Sequence, residues 1–277
     1  MKSIIKRIYD LVPFKIAIFR FLKLFWTPKE STYKHLNFKG PYTIKTANKQ
    51  FFKIYNSTII ENEIFWEGLT GKWEKESMKL WLKLCLQANS IFDLGANTGI
   101  YSLVAKTVNP TAQVYAFEPH PRIFETLRKN VNMNQYDIFM YNKAISNLDG
   151  DLLIEDYSGH SKSVMVESIT LDSFIKSCGI VNIDLMKIDV ETHEPQVMEG
   201  FVNNFAKFRP TLLIEILNNK VAEIIFDVVR KYDYLYFNID ENGSVRQTET
   251  IEKSDYYNYL LCNEKVARSI GLLASIQ

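Results

Sequence analysis

The chain has 277 residues, 47% of them hydrophobic and 23% charged, with a formal net charge of +1, enough for one packed domain and a sizeable extension. Its three cysteines, Cys85, Cys178 and Cys262, lie far apart with no CxxC pair, which excludes a disulfide framework and a cysteine zinc site and points to a reducing, cytoplasmic compartment. The charge is uneven: residues 1–29 carry seven basic residues against Asp10 alone, a net +6 that leaves −5 for the remainder.

That basic front end mixes its charges with Ile4, Ile5, Ile8, Phe14, Phe19, Phe21, Phe25 and Trp26. Lys15, Arg20 and Lys23 interrupt every apolar window short of the ~20 residues a membrane span needs. No small-residue cleavage pattern follows, so a secretory signal is also excluded. Two readings stand: a helical extension packed on the main domain or on a second subunit of a homo-oligomer, and an amphipathic segment lying on the inner, anionic face of a membrane.

Residues 30–62 are polar, and YTIKTANKQFFKIYNSTII within them alternates like a hairpin. Residues 1–72 are therefore read as an accessory extension and 73–277 as the main domain. Apolar spacing predicts a helix from Ser77 to Gln87. SIFDLGANTGIYSLVAKTV then reads as a buried strand, a glycine loop and a helix capped by Asn97 or Thr98. A second strand, Gln113–Phe117, precedes a helix starting near Pro119 and Pro121, and DIFMYNKAIS gives a third strand. NLDGDLLIE and SVMVESITL form an antiparallel pair around the polar tip YSGHSKS, which carries His160 and suits a substrate loop or a solvated tip. After the helix LDSFIKSC come a fourth strand DLMKIDV, a helix EPQVMEGFVNNF, a fifth strand PTLLIEI and a helix from about Lys220 to Arg230. YLYFNID and DYYNYLLCN close the chain as strands separated by the turn Glu241-Asn242-Gly243, with Asp240 and Glu241 read as surface charges. Such alternation of apolar strands with helices argues for a parallel sheet covered on both faces, with ligands outside the carboxyl ends of its strands.

The loop Asp93-Leu94-Gly95-Ala96-Asn97-Thr98-Gly99 sits at such an end. It lacks the Lys of a nucleoside triphosphate loop. Asn97, standing where GxGxxG requires glycine, would crowd a dinucleotide pyrophosphate. A structural βα turn is the plain alternative. The remaining reading is a ligand with an amino acid and a nucleoside but no phosphate: Asp93 faces an ammonium or a water, the glycines turn the chain and expose its N–H groups, and Glu118 on the next strand accepts both ribose hydroxyls. S-adenosylmethionine has all these groups.

DLGANTGIYS, AFEPHPRIFETLRKNVNMN, AISNLDG, ITLDSF, LMKIDVETHE and RPTLLIEI, in that order, resemble the FkbM family of S-adenosylmethionine-dependent methyltransferases over roughly Trp73 to Ile216. The resemblance implies a Rossmann-like seven-stranded, mostly parallel sheet and O-methylation of sugars or other small hydroxyl-bearing molecules. Thr192 departs from it, standing where the family commonly has glycine, a residue tolerant of positive φ. The expected cofactor contacts are Glu74, the loop residues Asp93, Gly95, Ala96, Asn97, Thr98 and Gly99, Ser102 in the following helix, Glu118 and Pro119, Asn142 and Ala144, and Asp189. Trp73 helps close the site or packs in the core, and Lys143 lies at the adenine end or on the surface.

KIDVETHE, residues 187–194, supplies the catalytic candidates Asp189, Glu191 and His193. An alcohol must lose a proton as it attacks a methyl group, and a histidine has the right intrinsic affinity to take it. Glu191 binds or orients, and either Asp189 or His193 is the base. The plainer reading makes Glu191 or Thr192 the cap of the following helix and His193 a solvated loop residue. Asp189, Glu191 and Glu215 offer oxygen ligands to Mg²⁺, but no dedicated metal spacing is present. The absence of an N-P-P-[YF] tetrad disfavours amino acceptors, that of a Pro-Cys pair excludes cytosine C5 chemistry, and the acidic balance of residues 30–277 disfavours nucleic acid. A non-catalytic methyltransferase-like scaffold is the alternative from another class.

Overall fold

The computed structural model describes residues 13–46, 49–155 and 163–274. His160 and the rest of the tip, apart from Ser163, lie outside the described residues, as do residues 1–12 of the basic front end. The expected N-terminal hairpin is present as β1 (Gly40–Lys45) and β2 (Phe51–Asn56). The main sheet contains β3 (Ser90–Leu94), β4 (Gln113–Phe117) and β5 (Phe139–Tyr141). A separate three-stranded sheet follows from β6 (Ala144–Ile145), β7 (Gly150–Glu155) and β8 (Ser163–Ile169). The chain then returns to the main sheet with β9 (Leu185–Ile188), β10 (Thr211–Glu215), β11 (Leu235–Asp240), β12 (Ser244–Thr248) and β13 (Asn258–Cys262).

The main sheet runs β12-β11-β13-β10-β9-β3-β4-β5. The block from β10 to β5 is parallel, and β13 is antiparallel to both β10 and β11. This is a Rossmann-like sheet, the α/β class that the strand and helix alternation implies. It has eight strands rather than seven, because the turn at Glu241-Asn242-Gly243 joins β11 to the added edge strand β12 instead of leading straight to β13. The succession reverses between β3 and β9, so loops diverge there and leave a crevice above the strand ends.

Two other expectations are corrected. The third strand does not run through DIFMYNKAIS: Asn142 Nδ2 donates to the Glu118 and Pro119 carbonyls at 2.9 and 2.8 Å, drawing the chain off the sheet edge between β5 and β6. The helix EPQVMEGFVNNF is two helices, Glu194–Glu199 and Val202–Phe208. They part at Gly200, where any side chain would collide with the Ser146 carbonyl.

The extension shares its buried apolar cluster with one face of the main sheet, from Phe19, Phe38 and Trp66 through Trp81 to Leu103 and Val104. Phe92, Phe117, Phe174 and Met186 belong to the cluster on the other face. Polar contacts also tie the extension down. In the helix Pro121–Asn134, Asn130 and Asn134 lie one turn apart and meet the open edge of β2: Asn130 Oδ1 accepts from Tyr55 N at 2.8 Å, and Asn134 exchanges two hydrogen bonds with the Lys53 backbone at 2.6 and 2.7 Å. Buried Asn130 also donates to the Thr98 carbonyl at 2.8 Å, and Glu61 of the helix Ile59–Glu67 accepts from Thr98 Oγ1 at 2.6 Å. Thr98 is in the glycine loop, so Glu61 of the extension and Asn130 of the main domain position that loop from two sides.

Replacing Asn130 by Ala strands the Tyr55 N–H and the Thr98 carbonyl, and is expected to lower stability by about 2–4 kcal/mol in urea denaturation. Asn134→Ala, at a partly exposed position, is expected to cost less than half as much; equal costs would show that Asn130 has no special place.

Candidate active site

Strand periodicity assembles the site. Alternate residues share a face, and the register places Asp93 on β3 beside Lys187 on β9, with Leu213 on β10 opposite Lys187. Asp93, Lys187, Asp189 and Glu215 therefore project on one side at the strand ends. They line a cavity of about 550 Å³, whose wall also includes Glu74, Glu118, Glu191 and His193. Ile60 and Trp73 on one side and Leu152 to Ile154 of β7 on another make it part apolar, as small-molecule sites usually are.

Lys187 is its central charge. The side chain is 7% exposed, its Nζ lies 2.6 Å from Asp189 Oδ2, and it sits over the Tyr101 ring at 4.6 Å. Burial alone lowers an ammonium's proton affinity, but Asp189, Glu74 and Asp93 outweigh it and hold Lys187 charged. One cation does not satisfy so many acids. Burial, aided by the Asp189 charge, pushes Glu74 up to about 7 and Glu215 up to about 9 against the opposing pull of Lys187. Asp93 is raised chiefly by burial; its Oδ2 accepts from Ser102 Oγ at 2.6 Å, while its buried Oδ1 has no partner. Tyr101 donates its hydroxyl to Glu74, whose backbone is left-handed at φ 41°.

The glycine loop works by shape rather than by presenting amides. Gly95 and Ala96 donate to the Phe117 carbonyl at 3.0 and 2.9 Å, Asn97 to Glu118 Oε2 at 2.9 Å, and Gly99 to the Ala96 carbonyl at 2.8 Å. The expectation that these N–H groups face a ligand is thereby corrected. Gly95, at φ 79°, is required because a side chain there would strike the Asp189 carbonyl. Gly99, not Asn97 or Thr98, occupies the cap position of the helix Ile100–Val108. The Asn97 and His120 amides hold the two oxygens of Glu118, and burial pushes that acid up to about 7 in spite of them.

Most of the expected residues converge. Glu74, Asp93, Gly95, Ala96, Asn97, Thr98, Glu118, Pro119, Ala144, Asp189, Glu191 and His193 all line the cavity. Gly99, Ser102 and Asn142 stand behind it: Gly99 at the helix start, Ser102 on Asp93, and Asn142 on the Glu118 and Pro119 carbonyls. Lys143 lines the wall and pairs with Glu167, and Trp73 lines it while packing on Tyr101. Glu241, read as a surface charge, instead accepts from the Glu76 amide at 2.6 Å and caps the helix Lys75–Cys85 that follows Glu74. Lys187 and Tyr101 escaped sequence reasoning, although a lysine two places before a strand-end acid shares its face and is a readable signal.

His193 takes the cap position of the helix Glu194–Glu199, in place of Glu191 or Thr192, without a side-chain capping bond. Its Nε2 lies 2.9 Å from Ser146 Oγ. Among the described residues no carboxylate is bonded to the ring directly; the acidic link runs onward from Ser146 Oγ, which donates to Asn147 Oδ1 at 3.2 Å, while Asn147 Nδ2 donates to Glu199 at 2.8 Å. If the Ser146 proton is directed at Asn147, the contact calls for a proton on His193 Nε2, the tautomer in which Nδ1 is the acceptor. Burial lowers its proton affinity, so the ring is neutral near pH 7. Glu191 and Thr192 both have positive φ, 54° and 73°; Thr192 thus keeps the shape that favours glycine at the expense of backbone strain. Among the described residues no three acidic, histidine or cysteine side chains are grouped to hold an ion, and the positive charge among Asp189, Glu191 and Glu215 is Lys187.

A parallel sheet reversing between β3 and β9, with antiparallel β13 inserted between β10 and β11 and acids above the strand ends, is the class I methyltransferase fold. Residues 93–236 match the model of the Methyltransferase FkbM domain, and the chain belongs to that family, whose methyl donor is S-adenosylmethionine. It is 26% identical to the hexuronic acid methyltransferase AglP of Haloferax volcanii over 155 residues, which cover 53% of this chain and 64% of that one. It is 27% identical over 145 residues to the 2-O-methyltransferase NoeI of Sinorhizobium fredii, covering 43% and 60%. The chain thus spans less than two thirds of the length of these relatives. A solved methyltransferase FkbM from Methylobacillus flagellatus superposes with a TM-score of 0.44 at 14% identity, covering 63% of this chain and 43% of that one.

Two outcomes test the site. Lys187→Met leaves its acids unpaired and is expected to cost about 3 kcal/mol at pH 8 in urea denaturation. The cost shrinks toward pH 6, where Glu74 is protonated; a cost independent of pH would contradict the charge assignment. Thr192→Gly relieves the φ of 73° and is expected to stabilise the fold by about 1 kcal/mol.

Proposed function

We propose that this protein transfers a methyl group from S-adenosylmethionine to a hydroxyl oxygen of a sugar, a glycan or another small molecule held in the cavity. The observation that carries the reading is the surplus of buried acid, with Asp93 Oδ1 left without a partner: the cavity is short of positive charge, its two lysines Lys187 and Lys143 already pairing with Asp189 and Glu167, and among the described residues its wall has no arginine for a phosphate. A ligand bearing a sulfonium and an ammonium meets that lack, so the residues fit the group. Asp93 and Glu74 would face its amino-acid end, and Glu118, held by the Asn97 and His120 amides, would accept its ribose hydroxyls. When bound, it supplies an electrophilic methyl carbon that leaves a neutral thioether behind.

The chain's own part is to hold, deprotonate and exclude. Asp189, steadied by Lys187, and Glu191 orient the acceptor hydroxyl. His193 Nδ1 takes the hydroxyl proton as the new C–O bond forms, and Ser146, backed by Asn147 and Glu199, keeps the imidazole in the tautomer that can accept it. Trp73, Ile60 and β7 supply apolar walls that limit water. The relatives named for sugar and 2-O-methylation support an oxygen acceptor, and the acidic lining argues against nucleic acid.

Isothermal titration with S-adenosylmethionine is expected to show affinity rising between pH 6 and pH 8, as the acids pushed up to about 7, Glu74 and Glu118, lose their protons; Asp93→Asn is expected to weaken binding tenfold or more. With a uronic or neutral sugar acceptor, His193→Asn should lower kcat by about 10²–10⁴ with donor affinity intact. In the unaltered protein kcat should persist below the ordinary histidine value of 6.5 and kcat/KM should rise through about 7. Donor binding without turnover on any hydroxyl panel would make the domain a scaffold.

A further inference from the structure

The N-terminal helix Lys15–Lys23 and the turn after it have two apolar sides, of which the protein uses one. Buried Phe19 packs on Trp66 and Phe38 with ring centroids 5.4 and 6.3 Å apart, Ile16 and Leu22 flank it, and Lys23 donates to the Phe65 carbonyl. At 100° per residue the opposite side collects Phe14, Ala17, Ile18, Phe21, Leu24 and Phe25. Phe14 is 80% exposed, Phe21 63%, Leu24 73% and Phe25 78%, and Phe21 meets Phe25 edge to face at 5.4 Å. Single exposed apolar residues are ordinary, but a continuous aromatic face on one helix marks an interaction surface.

Charge selects the partner. The face is bordered by exposed Arg20 and followed by exposed Lys29, within the front stretch that carries +6 while the remainder carries −5. Pairing two copies through this face would bring together two stretches, residues 13–29, that each hold four basic and no acidic side chains, whereas a layer of anionic headgroups neutralises them. No helix among the described residues is long and apolar enough to cross a membrane, and nine residues rise only about 14 Å, half a hydrocarbon core. We propose that the face formed by Phe14, Ile18, Phe21, Leu24 and Phe25 lies in the surface of an anionic lipid bilayer, with Phe19 and its neighbours holding the domain beneath it. The helix Ile59–Glu67 connects this anchor to the site: Phe65 and Trp66 at one end touch the N-terminal helix, and Ile60 at the other lines the cavity. The docking surface stands apart from the proposed methyl transfer and does not rest on it.

Co-sedimentation of the full chain with sucrose-loaded vesicles tests the assignment, using phosphatidylcholine alone and with 30 mol% phosphatidylglycerol. The intact protein is expected to bind the anionic vesicles at least tenfold better than the neutral ones and to lose most of that preference in 0.5 M NaCl. The double substitution Phe21→Glu/Phe25→Glu, on exposed side chains, should cut binding tenfold or more while leaving the melting temperature and S-adenosylmethionine affinity unchanged. Equal sedimentation of the two forms would overturn the proposal, as would indifference to lipid charge. A dimer in sedimentation equilibrium that the double substitution dissolves, without vesicle binding by either form, would assign the face to a second copy instead.

Discussion

The structure of the cavity depends on one ammonium group placed among more carboxylates than it can satisfy. Lys187 is buried on the central strand β9, where it would be intolerable without Asp189 beside it and Asp93 and Glu74 within reach. Burial pushes Glu74, Asp93 and Glu215 toward neutrality against the opposing pull of Lys187. The apolar cores on the two faces of the sheet hold this arrangement rigid, so the imbalance cannot relax by rotating the strands.

The second constraint is the dependence of the glycine loop on chain far from it in sequence. Thr98 is held by Glu61 from the extension through its hydroxyl and by Asn130 through its carbonyl, while the loop amides are taken by Phe117 and Glu118. The loop's path is therefore determined by elements 32 and 37 residues away as much as by its glycines. The hairpin and the helix Ile59–Glu67 complete the domain's core rather than decorate it.

The sheet and the strand-end acids were legible because they rest on local rules. Apolar runs punctuated by glycine and proline locate β3, β4, β9 and β10, and period-two alternation puts their acids on one face. What escaped depends on distant partners. Lys187 interrupts an apolar run and gains meaning only from acids on other elements. Ser146 and His193 meet across 47 residues, and Glu241 finds its helix cap 165 residues away. The breaks after Tyr141 and at Gly200 arise from a side-chain bracket and a close backbone approach that no periodicity records. The added strand β12 was hidden because SVRQT has no apolar alternation, being an edge strand with little to bury.

The same weakness of pattern has a benefit at the margins of the sheets. β12 ends one side of the main sheet with Arg246 and Gln247 exposed, β5 ends the other after three residues, and asparagine side chains occupy part of the free edge of β2. An unblunted edge is a template for strand addition between molecules, and it becomes dangerous when many copies crowd together. Shortness at β5, exposed charge and amide on β12 and the asparagine bracket on β2 are each devices that blunt such templates.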